Sequence, residues 1–252
     1  MAKWNKFPHD QQAIFYAADA LKKNWHALHR SDNEPYPADA VLQDAWRQFH
    51  AGNFETAAQS GNGTVALKAT AIYATHLEPK TAVKLRLYQS AMEMATTLIT
   101  SAPNNPNAHY QYAYAAGRYS QNISVIKALK EGYGGKIRIA LETALKLDAA
   151  HADAHTAMGA YHAEIINKVG TLVGKLSYGT SKAAAVDHYE KAIKLNPASP
   201  IAHIEFANGL LMLFGDKQED KAVKLYEKAA KMKAKDAMDV LDIAMALNEL
   251  ED

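Results

Sequence analysis

Residues 107–117 (NAHYQYAYAAG), 153–163 (DAHTAMGAYHA) and 201–211 (IAHIEFANGLL) align without gaps. Each opens on Ala-His: Ala108-His109, Ala154-His155 and Ala202-His203, so the copies stand 46 and 48 residues apart. Each follows a stretch that reads as the end of a helix: TTLITSAPNN (96–105), TALKLDAAHA (143–152) and KAIKLNPASP (191–200). A fourth such ending, KAAKMKAKDA (228–237), leads into a last helical pattern from Ala237 to Leu250. A period of this size, with two helices per unit, predicts an α-solenoid, in which each unit buries its apolar face against the next.

Working outward, the composition is that of helices. Ala, Leu, Lys, Met, Gln and Glu dominate, and no long stretch alternates as a strand does. Ile14, Ala18, Leu21, Trp25 and Leu28 recur at steps of three and four and predict an opening helix over roughly 9–29. SDNEPYP (31–37) ends it, because prolines and short polar residues punctuate helices. Further helices are expected over about 38–51, from Phe54, over 64–77 and over 81–101, with breaks at Gly52-Asn53, Gly61-Asn62-Gly63, Glu78-Pro79 and 103–106.

Within a unit, small residues recur where paired helices cross closely, and large ones where they interdigitate. Ala185, Tyr189, Ala192 and Pro197 show this order, Ala222, Tyr226 and Ala229 repeat it, and Ala45, Gly52, Phe54 and Ala57 follow it near the N-terminus. These residues resemble the tetratricopeptide repeat over roughly 37–250. An ordinary repeat of that type spans about 34 residues. Here the units are longer, and the extra residues lie between the helices of a pair: SQNISVIKALKEGYGGK (120–136) and NKVGTLVGKLSYGTSK (167–182). The enlarged form, with Ala-His-opening helices, is similar to the tetratricopeptide-like domain of the regulator of microtubule dynamics family and its bacterial relatives. The resemblance implies a protein- or lipid-interacting helical domain and no chemistry. The expectation is an all-α, α-α superhelix of about ten to twelve helices with two enlarged repeats. It forms one domain over 1–252, with 1–36 packing on a repeat region at 37–252.

Charge and composition narrow the function classes. The 252 residues carry 28 Lys+Arg and 27 Asp+Glu, a net charge of +1, which is no electrostatic footprint for nucleic acid or an anionic membrane, both of which need a strong basic excess or patch. There is no cysteine, so disulfides, thiolate metal clusters and Cys nucleophiles are excluded. No run approaches the ~20 apolar residues of a membrane span. The N-terminus, MAKWNKFPHD, lacks an apolar signal-peptide core. The location expected is the cytoplasm, or the periplasm for a chain whose signal has been removed.

Motifs for chemistry fail on their details. Gly170-Thr171-Leu172-Val173-Gly174-Lys175-Leu176 has three residues between its glycines where a phosphate loop needs four, and Leu176 where the metal-binding hydroxyl belongs. Gly134-Gly135-Lys136 lacks both the leading glycine and the hydroxyl, and Ser124-Val125-Ile126-Lys127 lacks the companion elements of a Ser/Lys nucleophile pair. His151 and His155 share a helix face, and Asp153, His155, His162 and Glu164 form the one polar cluster worth inspecting. The recurrence of Ala-His gives His155 a packing role instead. No catalytic residue, metal or cofactor is expected. The lysine-rich stretch 217–235 reads as a solvated helix exterior with the pairs Asp220–Lys224 and Glu227–Lys231.

Binding is expected on the inner face lined by the first helix of each pair. Carrying the family's inner positions over gives Trp46, Phe49, Asn107, Tyr110, Tyr114, Arg118, Thr156, Ile204 and Asn208, with aromatic anchors at Trp46, Tyr110 and Tyr114. The leading expectation is a non-catalytic scaffold for a protein or peptide. The alternative is a carrier or sensor of a lipid or other hydrophobic small molecule, in a pocket roofed by 120–136 and 167–182. It rests on the apolar faces Ile123/Val125/Ile126/Leu129 and Leu172/Val173/Leu176, which need a cover.

Overall fold

A computed structural model describes residues 3–9, 14–59 and 62–251. Among these, fourteen α-helices and no strand occur. They are α1 (Ala20–Leu28), α2 (Ala40–His50), α3 (Phe54–Gln59), α4 (Gly63–His76), α5 (Thr81–Ser101), α6 (Pro106–Gln121) and α7 (Val125–Lys130). The remainder are α8 (Tyr133–Leu147), α9 (Ala152–Val169), α10 (Thr171–Tyr178), α11 (Lys182–Leu195), α12 (Pro200–Phe214), α13 (Glu219–Ala230) and α14 (Ala237–Glu251). The number exceeds ten to twelve because each insert folds as a separate short helix, α7 or α10.

The helices start where their caps dictate. Asn105 accepts from the backbone N–H of Asn107 and Ala108, and Ser199 from that of Ala202; each precedes a proline in the first turn. Ser181 caps α11 through Ala184 N–H, and the imidazole of His151 caps α9 through Ala154 N–H. The pairs α6/α8, α9/α11 and α12/α13 stack in order, with α4/α5 before them and α14 closing the array.

The repeated residues do what their spacing predicts. Ala108, Ala154 and Ala202 are fully buried at close helix approaches. The histidine after each reaches back to a carbonyl ahead of its helix: His109 Nε2 to Pro103 at 2.8 Å, His155 Nε2 to Ala149 at 3.2 Å, His203 Nδ1 to Ser199 at 2.9 Å. Tyr189 of α11 lies between two glycines on neighbouring helices. A Cβ on Gly159 would sit 2.8 Å from its ring, and one on Gly209 2.5 Å from it. The ring stacks on Phe206 at 5.2 Å between centroids. Both glycines are therefore packing requirements of that aromatic.

The N-terminus departs from expectation. The helix begins at Ala20, not near 9; residues 10–13 lie outside the described part, as does Gly61 of the predicted break at 61–63. Ala18 adopts a left-handed φ of 46°, which a helix interior does not allow. Tertiary contacts hold this segment instead. Ile14 is buried, Tyr16 donates its hydroxyl to Lys235 O at 2.7 Å, and Tyr16 O accepts from Arg47 Nε at 2.9 Å. The segment thereby ties the first helix pair to the last. His50 Nδ1 lies 2.8 Å from Asp236 Oδ2 and strengthens the same closure.

Candidate binding cleft

The inner side of the superhelix is filled in its N-terminal half by the chain's own residues 29–36. Asp32 accepts from Lys68 Nζ at 2.6 Å and pairs with His29 Nδ1 at 2.9 Å. Glu34 accepts from Asn107 Nδ2 at 2.6 Å and from Thr64 Oγ1 at 2.5 Å. Ser31 O accepts from Asp153 N–H at 3.0 Å, and Ser31 Oγ from Asn196 Nδ2 at 2.7 Å. Segment 31–37, read from sequence as punctuation, is thus a plug bonded to α4, α6, α9 and the loop after α11. Burial opposes the Asp32 charge, but Lys68 and His29 overcome it and hold its carboxyl well below the usual range. Burial, then Asp32, pushes Glu34 up to about 7.

This plug corrects part of the expected inner surface. Trp46 is 2 % and Phe49 1 % exposed, because α1 and the plug fold over α2; Trp46 meets the rings of Trp25 and His29 edge-on. They are core, not anchors for a partner. Asn107 is buried and engaged by Glu34 and by His151, whose Nε2 lies 2.8 Å from Asn107 Oδ1. Ile204 is fully buried in a cluster with Ala207, Ala222 and Tyr226. Asn208 accepts from the Tyr226 hydroxyl beside that cluster. Tyr110, Tyr114, Arg118 and Thr156 alone of the nine are brought together, in one cleft.

The cleft lies between α6, α8 and α9, and α7 and the α9–α10 junction extend its walls. It encloses about 1120 Å³ of space, open solvent at its mouth included. Its walls are mainly apolar and aromatic: Tyr110, Tyr114, Tyr133, Tyr161 and Tyr178 with Leu129, Ile137, Leu141 and Ile165. Both inserts contribute, through Val125, Ala128 and Leu129 on one side and Lys168, Val169 and Tyr178 on the other. The inserts flank the opening as walls, with Ile126, Leu172 and Leu176 left facing solvent at 80 %, 70 % and 77 % exposure.

Charged groups also line the cleft: Arg118, Asp153, Glu164, Lys168 and Glu205, with Ser120, Gln121 and Thr156. Arg118 lies over the Tyr114 ring, 5.3 Å from its centroid, and donates to Glu205 Oε1 at 2.8 Å. Tyr114 Oη and Thr75 Oγ1 are 3.0 Å apart. Tyr161 is buried, and its hydroxyl has no hydrogen-bond partner; burial pushes it up to about 12. Asp153 sits at the inner end, where burial raises it to about 6 against the pull of Lys68. Gly117 also lines the cleft, and a Cβ there would meet nothing within 4 Å. A glycine inside a helix costs about 0.5–1 kcal/mol relative to alanine. No helix-packing contact accounts for this one, and its missing side chain borders the cleft.

The polar cluster singled out in the sequence disperses. His155 Nδ1 lies 2.8 Å from His188 Nδ1, and His162 stacks on His188 at 5.9 Å. Glu164 pairs with Lys168 at 3.1 Å at the cleft wall. Burial first, and neighbouring cationic or imidazole groups next, lower His162 to about 4. No group of three or more His, Asp or Glu side chains able to hold a metal ion occurs among the described residues. Of the two pairs expected on the lysine-rich exterior, Glu227–Lys231 forms at 3.0 Å.

The sequence model of the family described as Regulator of microtubule dynamics protein 1-3 matches residues 59–250. The chain belongs to that family. A thermophilic TPR protein of Thermus thermophilus shares the fold, with a TM-score of 0.57 and 20% identity over 82% of this chain and 97% of that one. No curated protein sequence matches significantly. The fold is thus a tetratricopeptide-like α-α superhelix of the regulator of microtubule dynamics type. No helix among the described residues is long and apolar enough to cross a membrane.

Proposed function

We propose that the chain is a non-catalytic binding module whose working surface is the cleft between α6, α8 and α9, and that this cleft receives the hydrocarbon part of a lipid or a comparable apolar small molecule. Superhelices of this type act by presenting an inner surface to a partner, which makes an interaction scaffold the coarse reading. The plug at 29–36 occupies the part of that surface lined by α4 and the start of α6 and α9. What stays open is a cleft with aromatic and largely apolar walls, with polar and charged groups that can fix one end of a ligand.

The observation that carries this reading is Gly117. It sits in the wall of the aromatic and apolar cleft, inside a helix, with no packing neighbour that demands a glycine. The Arg118–Glu205 pair supplies polar contacts nearby. The tetratricopeptide-like fold supports an interaction module as the coarse reading.

Native mass spectrometry of freshly purified protein tests the proposal. The expected result is a mass excess of lipid size, lost on denaturation and absent from Gly117→Phe, whose ring would fill the cleft. A bare polypeptide mass that stays bare after incubation with long-chain fatty acid would overturn it.

A further inference from the structure

The two insert helices leave an apolar surface that the cleft does not use. On α7, Val125, Ala128 and Leu129 line the cleft, whereas Ile126 is 80 % exposed. On α10, Leu172, Val173 and Leu176 are 70 %, 49 % and 77 % exposed. Isolated exposed leucines are ordinary, but here four large apolar side chains project from two short helices beside one opening. The inserts meet: a Cβ on Gly134, just after the first insert's helix, would lie 2.7 Å from Tyr178 at the end of α10. Arg138 of α8 also donates to Tyr178 O at 3.2 Å. Both insert helices thus stand beside the cleft at the N-terminal end of α8, α7 by chain continuity and α10 through Tyr178.

The charge of the inserts selects their partner. Segments 120–136 and 167–182 contain six lysines and one glutamate, in a chain whose net charge is +1. Lys127, Lys130, Lys136, Lys168 and Lys175 are exposed. Lys127 lies 3.9 Å from Glu131, and Lys168 3.1 Å from Glu164. Two copies of such a surface would bring like charges together, which disfavours self-association. Apolar side chains interleaved with lysines on short amphipathic helices instead match the boundary of an anionic bilayer, where the former enter the acyl layer and the latter meet phosphate.

We infer that α7 and α10 dock the mouth of the cleft onto the surface of an anionic lipid bilayer. The inference rests on the reading of the cleft as a site for an apolar chain, and it names the source: a membrane against which the opening is pressed. Docking would shield the mouth from water while a chain passes between bilayer and cleft.

Cosedimentation with vesicles tests it, using the full chain with phosphatidylcholine alone and with phosphatidylcholine mixed with phosphatidylglycerol. The wild type should bind the anionic vesicles, bind the neutral ones far less, and release on adding salt. Ile126→Ser/Leu172→Ser/Leu176→Ser and Lys130→Glu/Lys136→Glu/Lys175→Glu should each lose roughly tenfold or more in vesicle affinity. Their circular dichroism and Tm should stay unchanged, since every substituted side chain is exposed. Equal binding to both vesicle types, or none to either, would overturn the inference. So would a wild-type dimer that the serine variant abolishes, because the face would then belong to a second copy. Gly117→Phe separates the two proposals: it should lose the copurifying ligand and keep vesicle binding. If wild type binds vesicles but carries and takes up no ligand, the cleft reading fails while the docking surface stands.

Discussion

Replacing Tyr189 by alanine probes the repeat register at the point where it is tightest. The ring is 1 % exposed and stacks on Phe206, with Ala163, Leu210 and Leu213 in the same cluster. Two glycines on different helices approach it, Gly159 of α9 and Gly209 of α12. Removing such a ring forfeits its burial and leaves a cavity, and large aromatic-to-alanine changes in cores cost about 3–5 kcal/mol. For a chain of this length each kcal/mol moves Tm by about 2–4 °C, so a drop of about 6–20 °C is expected. Calorimetry or thermal circular dichroism reads it directly. The stronger test is a double-mutant cycle with Gly209→Ala. Alone, that change forces a methyl into a ring whose nearest atom would stand 2.5 Å from the new Cβ, and should cost about 1–3 kcal/mol. In the Tyr189→Ala background the obstacle is gone, and the same change should be neutral or stabilise by up to about 1 kcal/mol through helix propensity. Additive effects in the cycle, or a Tyr189→Ala variant melting within about 2 °C of wild type, would refute the packing scheme.

Other predictions follow from the plug and the cleft. Lys68→Met leaves the Asp32 carboxylate buried without its cation and should destabilise by about 3–5 kcal/mol, whereas Lys68→Met/Asp32→Leu should recover part of the loss; urea denaturation compares them. Gly117→Ala should raise stability by about 0.5–1 kcal/mol, because its methyl meets only the open cleft. His151 is lowered to about 4, chiefly by burial, so it contributes stability above the unfolded value near 6.5 that is lost as pH falls towards 4. His151→Asn keeps a good N-cap for α9 and removes that titration. The stability of wild type relative to this variant should therefore shrink steadily from pH 7 to pH 4.5, and a difference independent of pH would refute the assignment. Glu34 and Asp239, both raised to about 7, and Asp153, raised to about 6, contribute the opposite slope, since their native protons favour folding at lower pH. For that reason the comparison of variants is more telling than the wild-type curve alone.

The sequence was most legible where the physics is local. The Ala-His openings, the small residues at crossings and the Pro-containing caps follow from neighbours a few residues away, and the helices from α2 onward start close to where these place them. Tyr110 and Tyr114 reach the cleft because the repeat itself sets their face of α6. Trp46 and Phe49 did not follow the same rule, because segment 14–36 folds back over α2, and no repeat position records a contact between distant segments. Lys68 was the available clue: a lysine inside the otherwise apolar helix α4 requires a buried partner. The acidic residues of SDNE (31–34) were the candidates for it, yet their composition also satisfies an ordinary loop. The wall-forming role of the inserts was visible as an apolar pattern, but which face turned inward depended on packing against α8 and α9.

An apolar chain bound in the cleft beside Gly117 is open to a direct titration. A long-chain fatty acid carrying an environment-sensitive fluorophore is added to delipidated wild type and to Gly117→Phe. The account predicts saturable binding with one site per chain in the wild type and none in the variant, with both proteins folded by circular dichroism. Equal binding by the two proteins, or no binding by the wild type, would contradict it.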